Sequence, residues 1–185
     1  MSRHPAQPAF LVGERLMLRP LVSADATRDY LAWLNDPEVL RYRAPKAFPT
    51  TMPQLRAWIA SLPQRGDLVL AIRTKRGDRH IGNVALNTIL WVHRSAELSI
   101  MLGAHGTRGR GYGREAIALL TRHGFASMGL NRIWAESPNL AFKRAVESLG
   151  WRKEGVKREA LLVDGKLQDV VCWSILAREW RASER

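Results

Sequence analysis

The stretch Thr107-Arg108-Gly109-Arg110-Gly111-Tyr112-Gly113-Arg114-Glu115-Ala116 decides how this sequence is read. Ahead of it, residues 95–102 read as a strand. Behind it, a helix is expected over about 112–128, with Ala116, Leu119, Leu120 and Phe125 as its buried stripe. Three glycines at alternate positions let the backbone turn tightly and keep no Cβ between it and a ligand. Consecutive N–H groups at a helix N-terminus, carrying about half a positive charge, make an anion cradle suited to a pyrophosphate. Arg108, Arg110 and Arg114 add charge around it. The spacing is G-x-G-x-G, not the G-x-G-x-x-G of a dinucleotide fold, and the Walker pattern G-x-x-x-x-G-K-[ST] is absent. A glycine-rich turn with only a structural role is the alternative that local pattern leaves open.

Working outward, residues 14–19 alternate as a strand that Pro20 stops. Ser23 is expected to cap a helix running through Tyr30, Leu31 and Leu34 to about Asn35. Residues 45–50 read as a loop. Thr51 and Pro53 open a second helix with Leu55, Trp58, Ile59 and Leu62 on one stripe and Pro63 beyond its end. The period then changes to strands at 68–73, 81–90 and 95–102, with Gly82 marking a bulge or a close approach. Past the glycine loop and its helix come a short strand at 131–136 and a helix opened by Pro138-Asn139 and closed at Leu149-Gly150. Strands at 151–162 and 167–174 flank the turn Asp164-Gly165, and residues 175–180 read as a last helical turn. The expectation is one α+β (α/β) domain over 1–185 with a mixed, mostly antiparallel sheet and a loose lead-in at 1–12.

Composition narrows the function classes. At 185 residues, 46% hydrophobic and 25% charged, the chain has ordinary globular values. A single cysteine, Cys172, excludes an internal disulfide framework and a cysteine-rich zinc site, and the histidines have no metal-ligand spacing, so no metal is expected. The N-terminus lacks a signal-type apolar segment and no apolar run approaches membrane-spanning length, so a cytoplasmic protein with no membrane partner is expected. Lys+Arg 29 against Asp+Glu 17 gives +12, and 23 of the cations are arginine. An anionic partner or cofactor suits that charge, as does a merely arginine-rich surface. No basic block of five or more and no recognition motif accompanies it, so no specific nucleic-acid partner is expected.

The loop matches R-x-x-G-x-G, and with it the chain resembles the GNAT N-acetyltransferase superfamily, in particular its Rim-type branch of ribosomal-protein N-terminal alanine/serine acetyltransferases. Residues 16–21 with Ser23-Ala24-Asp25, then Trp33-Leu34-Asn35-Asp36-Pro37-Glu38-Val39, Ile81-Gly82-Asn83, Ala96-Glu97-Leu98-Ser99-Ile100, Asn139 through Leu149-Gly150-Trp151 with Glu154-Gly155, and Asp169 with Glu179-Trp180 follow that branch in order and spacing, over about 14–180. The resemblance implies a V-shaped sheet split between two parallel strands, with acetyl-CoA entering the split as cosubstrate. The pyrophosphate would lie on Gly109, Arg110, Gly111, Tyr112, Gly113 and Arg114, with Arg108 beside it. The pantetheine arm would pair with the backbone of Met101 and Leu102. Asn139 would touch the arm, cap a helix, or both.

Aminolysis of a thioester needs a neutral amine, a polarised carbonyl and a proton for the thiolate. A protein α-amine, with a pKa near 7.7–8.0, loses its proton at pH 7 for about 1 kcal/mol; a lysine needs roughly 4.6 kcal/mol. A weak base or a water chain therefore suffices for an α-amine. Three catalytic positions of the Rim-type pattern hold other residues here: Phe142 for a serine, Leu161 for a glutamate, Trp173 for a tyrosine. Glu97 is left as the candidate base, with Glu159 as a substitute by strand parity and Tyr112 as a remote candidate thiolate donor. Cys172 reads as a small packing residue. Trp33, Trp58, Trp134, Trp151 and Trp180 are expected to face the core, and Trp91 is a candidate for an exposed place near the acceptor. The expected activity is acetyl transfer to a protein N-terminal α-amine, as on a ribosomal protein, or to a small amine, by direct attack in a ternary complex. A CoA-binding regulatory module with lost or weak catalysis is the alternative. Acceptor walls are expected from the first two helices and the late hairpin. Longer acyl donors and a homodimer are compatible with the sequence.

Overall fold

The computed structural model describes residues 8–43 and 48–183; residues 1–7 of the expected lead-in and part of the loop at 45–50 lie outside the described residues. An eight-stranded sheet is built from β1 (Leu11–Val12), β2 (Leu16–Pro20), β3 (Leu68–Thr74), β4 (His80–Leu90), β5 (Ser95–Leu102), β6 (Arg132–Ser137), β7 (Arg152–Val163) and β8 (Lys166–Leu176), in the order β1-β2-β3-β4-β5-β6-β8-β7. Every neighbouring pair is antiparallel except β5 and β6. That pair is parallel and holds only three rungs, Ser95↔Arg132, Ala96↔Ile133 and Glu97↔Trp134; beyond Glu97 the strands part. The expected split therefore falls where the resemblance puts it.

Five helices flank the sheet: α1 (Arg28–Trp33), α2 (Met52–Arg65), α3 (Tyr112–Ala126), α4 (Leu140–Glu147) and α5 (Ala177–Ser183). Alternation along each strand sends successive side chains to opposite faces. Leu86 and Ile133 lie under α3, where a Cβ on Gly124 would come within 2.9 Å of Ile133 Cδ1 and 3.3 Å of Leu86 Cδ1. The other face carries Asn83, Ala85 and Asn87 opposite Met101, Ser99 and Glu97, and there α1 and α2 pack with Tyr30, Trp33, Leu55 and Ile59 buried.

Several boundaries differ from the sequence reading. Ser23 starts a 3₁₀ turn, Ser23–Asp25, and the first α-helix opens instead at Thr27, whose hydroxyl accepts from the Tyr30 N–H. Asp25 is why: its carboxylate takes both Arg19 nitrogens at 2.8 and 2.7 Å and the Val22 N–H at 2.9 Å, which pins the chain before a helix can run. Pro63 lies inside α2, which continues to Arg65 and stops at left-handed Gly66. Residues 11–12 pair with β2 rather than belonging to a loose lead-in. Gly82 is a close approach, since a Cβ there would sit 2.0 Å from the Met101 carbonyl oxygen.

Candidate active site

The glycine loop is held from below and from outside. Thr107 is buried and its hydroxyl donates to the Ala104 carbonyl at 2.5 Å. Gly106, Gly109 and Gly111 take φ of +73°, +76° and +77°, the left-handed region that favours glycine. Gly111 caps α3, and the Glu115 N–H donates to its carbonyl at 3.1 Å. Among the described residues, no N–H from 108 to 114 donates a backbone hydrogen bond to the chain. A row of free donors thus stands at the positive end of a fifteen-residue helix, which is what a diphosphate requires. A Cβ on Gly109 would meet nothing within 4 Å, so the loop's outer side is open.

Sequence reading missed the brace behind this loop. Glu115 Oε1 accepts from the backbone N–H groups of Arg15 (2.8 Å) and Leu16 (3.0 Å), and its Oε2 from Arg15 Nε (3.0 Å). Arg15 Nη1 then donates to the Arg110 carbonyl at 2.8 Å, and its guanidinium lies 4.9 Å from the Tyr112 ring centre. The contacting residues are about a hundred positions apart, so no local pattern signals them. Tyr112 is the first residue of α3 and is engaged by this cation. Arg108 pairs with Glu38 at 3.3 Å and Arg114 Nε donates to Ser148 Oγ at 3.1 Å, both at the surface, where an arriving anion can compete. Arg110 is exposed.

Leu102 lies beneath the first turn of α3, its Cδ1 3.6 Å from where a Gly113 Cβ would be, while Met101 faces the opposite side. Asn139 caps α4: its Oδ1 accepts from the N–H groups of Ala141 (2.8 Å) and Phe142 (3.4 Å), and its Nδ2 donates to nothing among the described residues. The capping and contact roles expected of it are therefore compatible.

Glu97 stands on the last rung before β5 and β6 part, half-buried. Burial first, then the charge of Glu136 further along the same face of β6, push its carboxyl above the ordinary glutamate range; Lys157 opposes this in part, being paired with Glu136 at 2.5 Å. A carboxylate destabilised this way is a better proton acceptor. Glu159 is not a substitute. It is exposed, adopts φ +49° where the β7–β8 register shifts, and its N–H is held by Asp169 Oδ1 at 2.9 Å, so the bulge ends its parity with Leu161. Phe142 packs against the core and Trp173 is buried. The Cys172 thiol is pushed up by burial and by Glu136, which suits an inert residue. His80 is half-buried against Tyr30 and Trp33, with Nε2 2.9 Å from the Gly82 carbonyl and 3.0 Å from Asn83 Oδ1.

A cavity of about 520 Å³ lies between α1, α2 and the sheet, lined by Tyr30, Arg43, Leu55, Trp58, Asn83 and Ser99 among others. The late hairpin does not wall it; Glu154, Cys172 and Trp173 line a separate recess of about 300 Å³ with Trp134 and Glu136. Trp58 packs against the core from the wall of the large cavity, Trp134 is half-buried on the wall of the recess rather than in the core, and Trp91 is exposed but lines neither space.

The sequence pattern of the acetyltransferase (GNAT) domain family matches residues 15–152. An uncharacterized N-acetyltransferase, p20, of Bacillus licheniformis is 35% identical over 179 residues, covering 92% of this chain and 97% of its own. Among solved structures, the spermidine N-acetyltransferase of Vibrio cholerae in complex with CoA and spermine has a TM-score of 0.81 at 23% identity, over 90% of this chain and 98% of that one. The ribosomal-protein-S5-alanine acetyltransferase of Vibrio fischeri has a TM-score of 0.80 at 20% identity, over 94% and 99%. These two share the fold; the pattern and p20 carry the kinship. The chain belongs to the GNAT acetyltransferase family.

Proposed function

We propose that this chain transfers an acetyl group from acetyl-CoA directly to a primary amine, both bound at once. The observation that carries the reading is the row of unengaged N–H groups at 108–114, at the head of α3 and beyond the end of the strand that opens from β6. These amides, with Arg108, Arg110 and Arg114, hold the diphosphate. The free backbone edge of Met101 and Leu102 receives the pantetheine arm as a strand receives a neighbour, and Asn139 Nδ2 donates to the same arm. Bound there, acetyl-CoA supplies an activated acyl carbonyl. Glu97 takes the proton the amine sheds, directly or through one water. With Phe142, Leu161 and Trp173 in place of the Rim-type groups, no side chain of the usual kind protonates the thiolate. An alkyl thiolate is a far better leaving group than an alkoxide, and solvent can protonate it.

The acceptor is a small amine or a protein α-amine. The spermine of the Vibrio cholerae neighbour is a poor guide, because no Asp or Glu among the described residues lines the large cavity.

Calorimetry with CoA and thiol release from acetyl-CoA over a panel of amines test the reading. Wild type should bind CoA and release thiol. Gly111→Val, which places a Cβ 3.2 Å from Arg15 Nη2 and strains a backbone at φ +77°, should lose at least tenfold in CoA affinity. Gly66→Val imposes similar strain at φ +73° with nothing within 4 Å, and should keep that affinity. A folded Gly111→Val with unchanged affinity removes the loop from the site.

A further inference from the structure

Among the described residues, the large cavity is lined by hydrogen-bond donors and one cation and by no anion. Arg43 lines it, and burial holds its guanidinium below the ordinary arginine range, although an arginine stays charged at any physiological pH. Arg19, Arg132 and Arg73 all find carboxylates, yet among the described residues Arg43 finds none. The four residues that follow it, Ala-Pro-Lys-Ala, bring no acid. A cation drawn out of water without a counter-ion is unfavourable, and an arriving anion relieves it.

Its neighbour fits the same ligand. The Tyr30 hydroxyl accepts from Asn83 Nδ2 at 2.5 Å, and His80 Nε2 meets Asn83 Oδ1, so the amide is oriented from behind. Burial pushes the Tyr30 phenol up to about 12, so it keeps its proton and can donate it into the cavity. Tyr30 and Arg43 together present the planar and single donors that a carboxylate accepts.

The strands supply a ruler. Asn83, bonded to Tyr30, and Asn87, opposite Glu97, both line the cavity four residues apart on β4, roughly 14 Å. Glu97 stands opposite Asn87 and is not among the lining residues, so an amine that reaches it from an anion held near Tyr30 and Arg43 spans a comparable distance on an extended spacer. We infer that the acceptor is a primary amine whose carboxylate stands several bonds away, as in an ω-amino acid or a short peptide, and that Arg43 selects it. This rests on the acetyltransferase reading above.

The test compares ε-aminocaproate, its primary amide and spermidine as acceptors, then repeats the comparison in Arg43→Ala and Arg43→Gln. Wild type should favour the acid over the amide by about tenfold or more in kcat/KM, chiefly through KM, with spermidine poorest. The ratio should fall to near one in either variant. Calorimetry of acid against amide on the CoA-loaded protein reads the same preference where turnover is absent, which separates this inference from the transferase reading. Equal use or binding of acid and amide by wild type, a preference for spermidine, or a ratio that persists in both variants overturns it. So does an Arg43-dependent preference for succinyl-CoA over acetyl-CoA, which would put the carboxylate on the donor.

Discussion

At the scale of single residues, Glu97 is the position where function and stability pull apart. Its carboxyl titrates above the ordinary value of 4.5 because of burial and then Glu136. The folded chain therefore holds this proton to higher pH than the unfolded chain does. The associated stability is full below the ordinary value and is lost as pH rises through the raised one. Glu97→Gln, neutral throughout, should match or exceed the wild-type melting temperature at pH 7 and lose that advantage near pH 4. The same variant should lower kcat by about 10²- to 10⁴-fold on an α-amine, and the inflection above pH 4.5 in kcat/KM should vanish. Paired pH series of melting and rate check both. A variant as active as wild type would place the base elsewhere.

At the scale of elements, the tie between β2 and α3 decides how firmly the glycine loop is held. Glu115 is mostly buried and satisfies two backbone N–H groups, so Glu115→Ala leaves both donors short of a partner. The ion pair itself counts for little because Arg15 is nearly half exposed. Denaturant unfolding should show a loss of about 1–3 kcal/mol, together with weaker CoA binding as Arg15 swings off the Arg110 carbonyl. What the sequence made legible was local. Alternation within 14–19, helical spacing from Ala116 to Phe125 and the tight glycine turn at 109–113 each follow from neighbours in the chain, although Pro20, expected as a stop, is the last residue of β2. So does the cap at Asn139. What escaped was non-local. Asp25 gathering Arg19 and Arg73 cut short the helix expected from Ser23, and the Thr88 and Glu159 bulges reset strand parity. The Arg15–Glu115 brace and the Arg43 cavity join distant segments that carry no periodic signal. Pro63 was read as a stop, but a helix whose capping box and apolar stripe are already in place tolerates one proline near its last turn.

At the scale of the whole molecule, a net charge of +12 favours the approach of a coenzyme that carries several phosphates, and three ladder rungs are all that join β5 to β6. Among the described residues, the amides of 98–102 that face the opening have no strand partner on that side. Hydrogen exchange followed by mass spectrometry should therefore show this segment exchanging quickly in the free protein and slowly with CoA, while β3 and β4 stay protected in both. Equal protection with and without CoA would argue against a ligand that lies along β5.

That opening has a further consequence. Two unpaired strand borders facing one gap are adhesive, and any extended chain of suitable length can dock there, including the same segment of another copy. Filling the gap early would remove this hazard. The coenzyme proposed to lie along β5 would cover one of these borders and leave the loaded molecule less prone to self-pairing than the empty one.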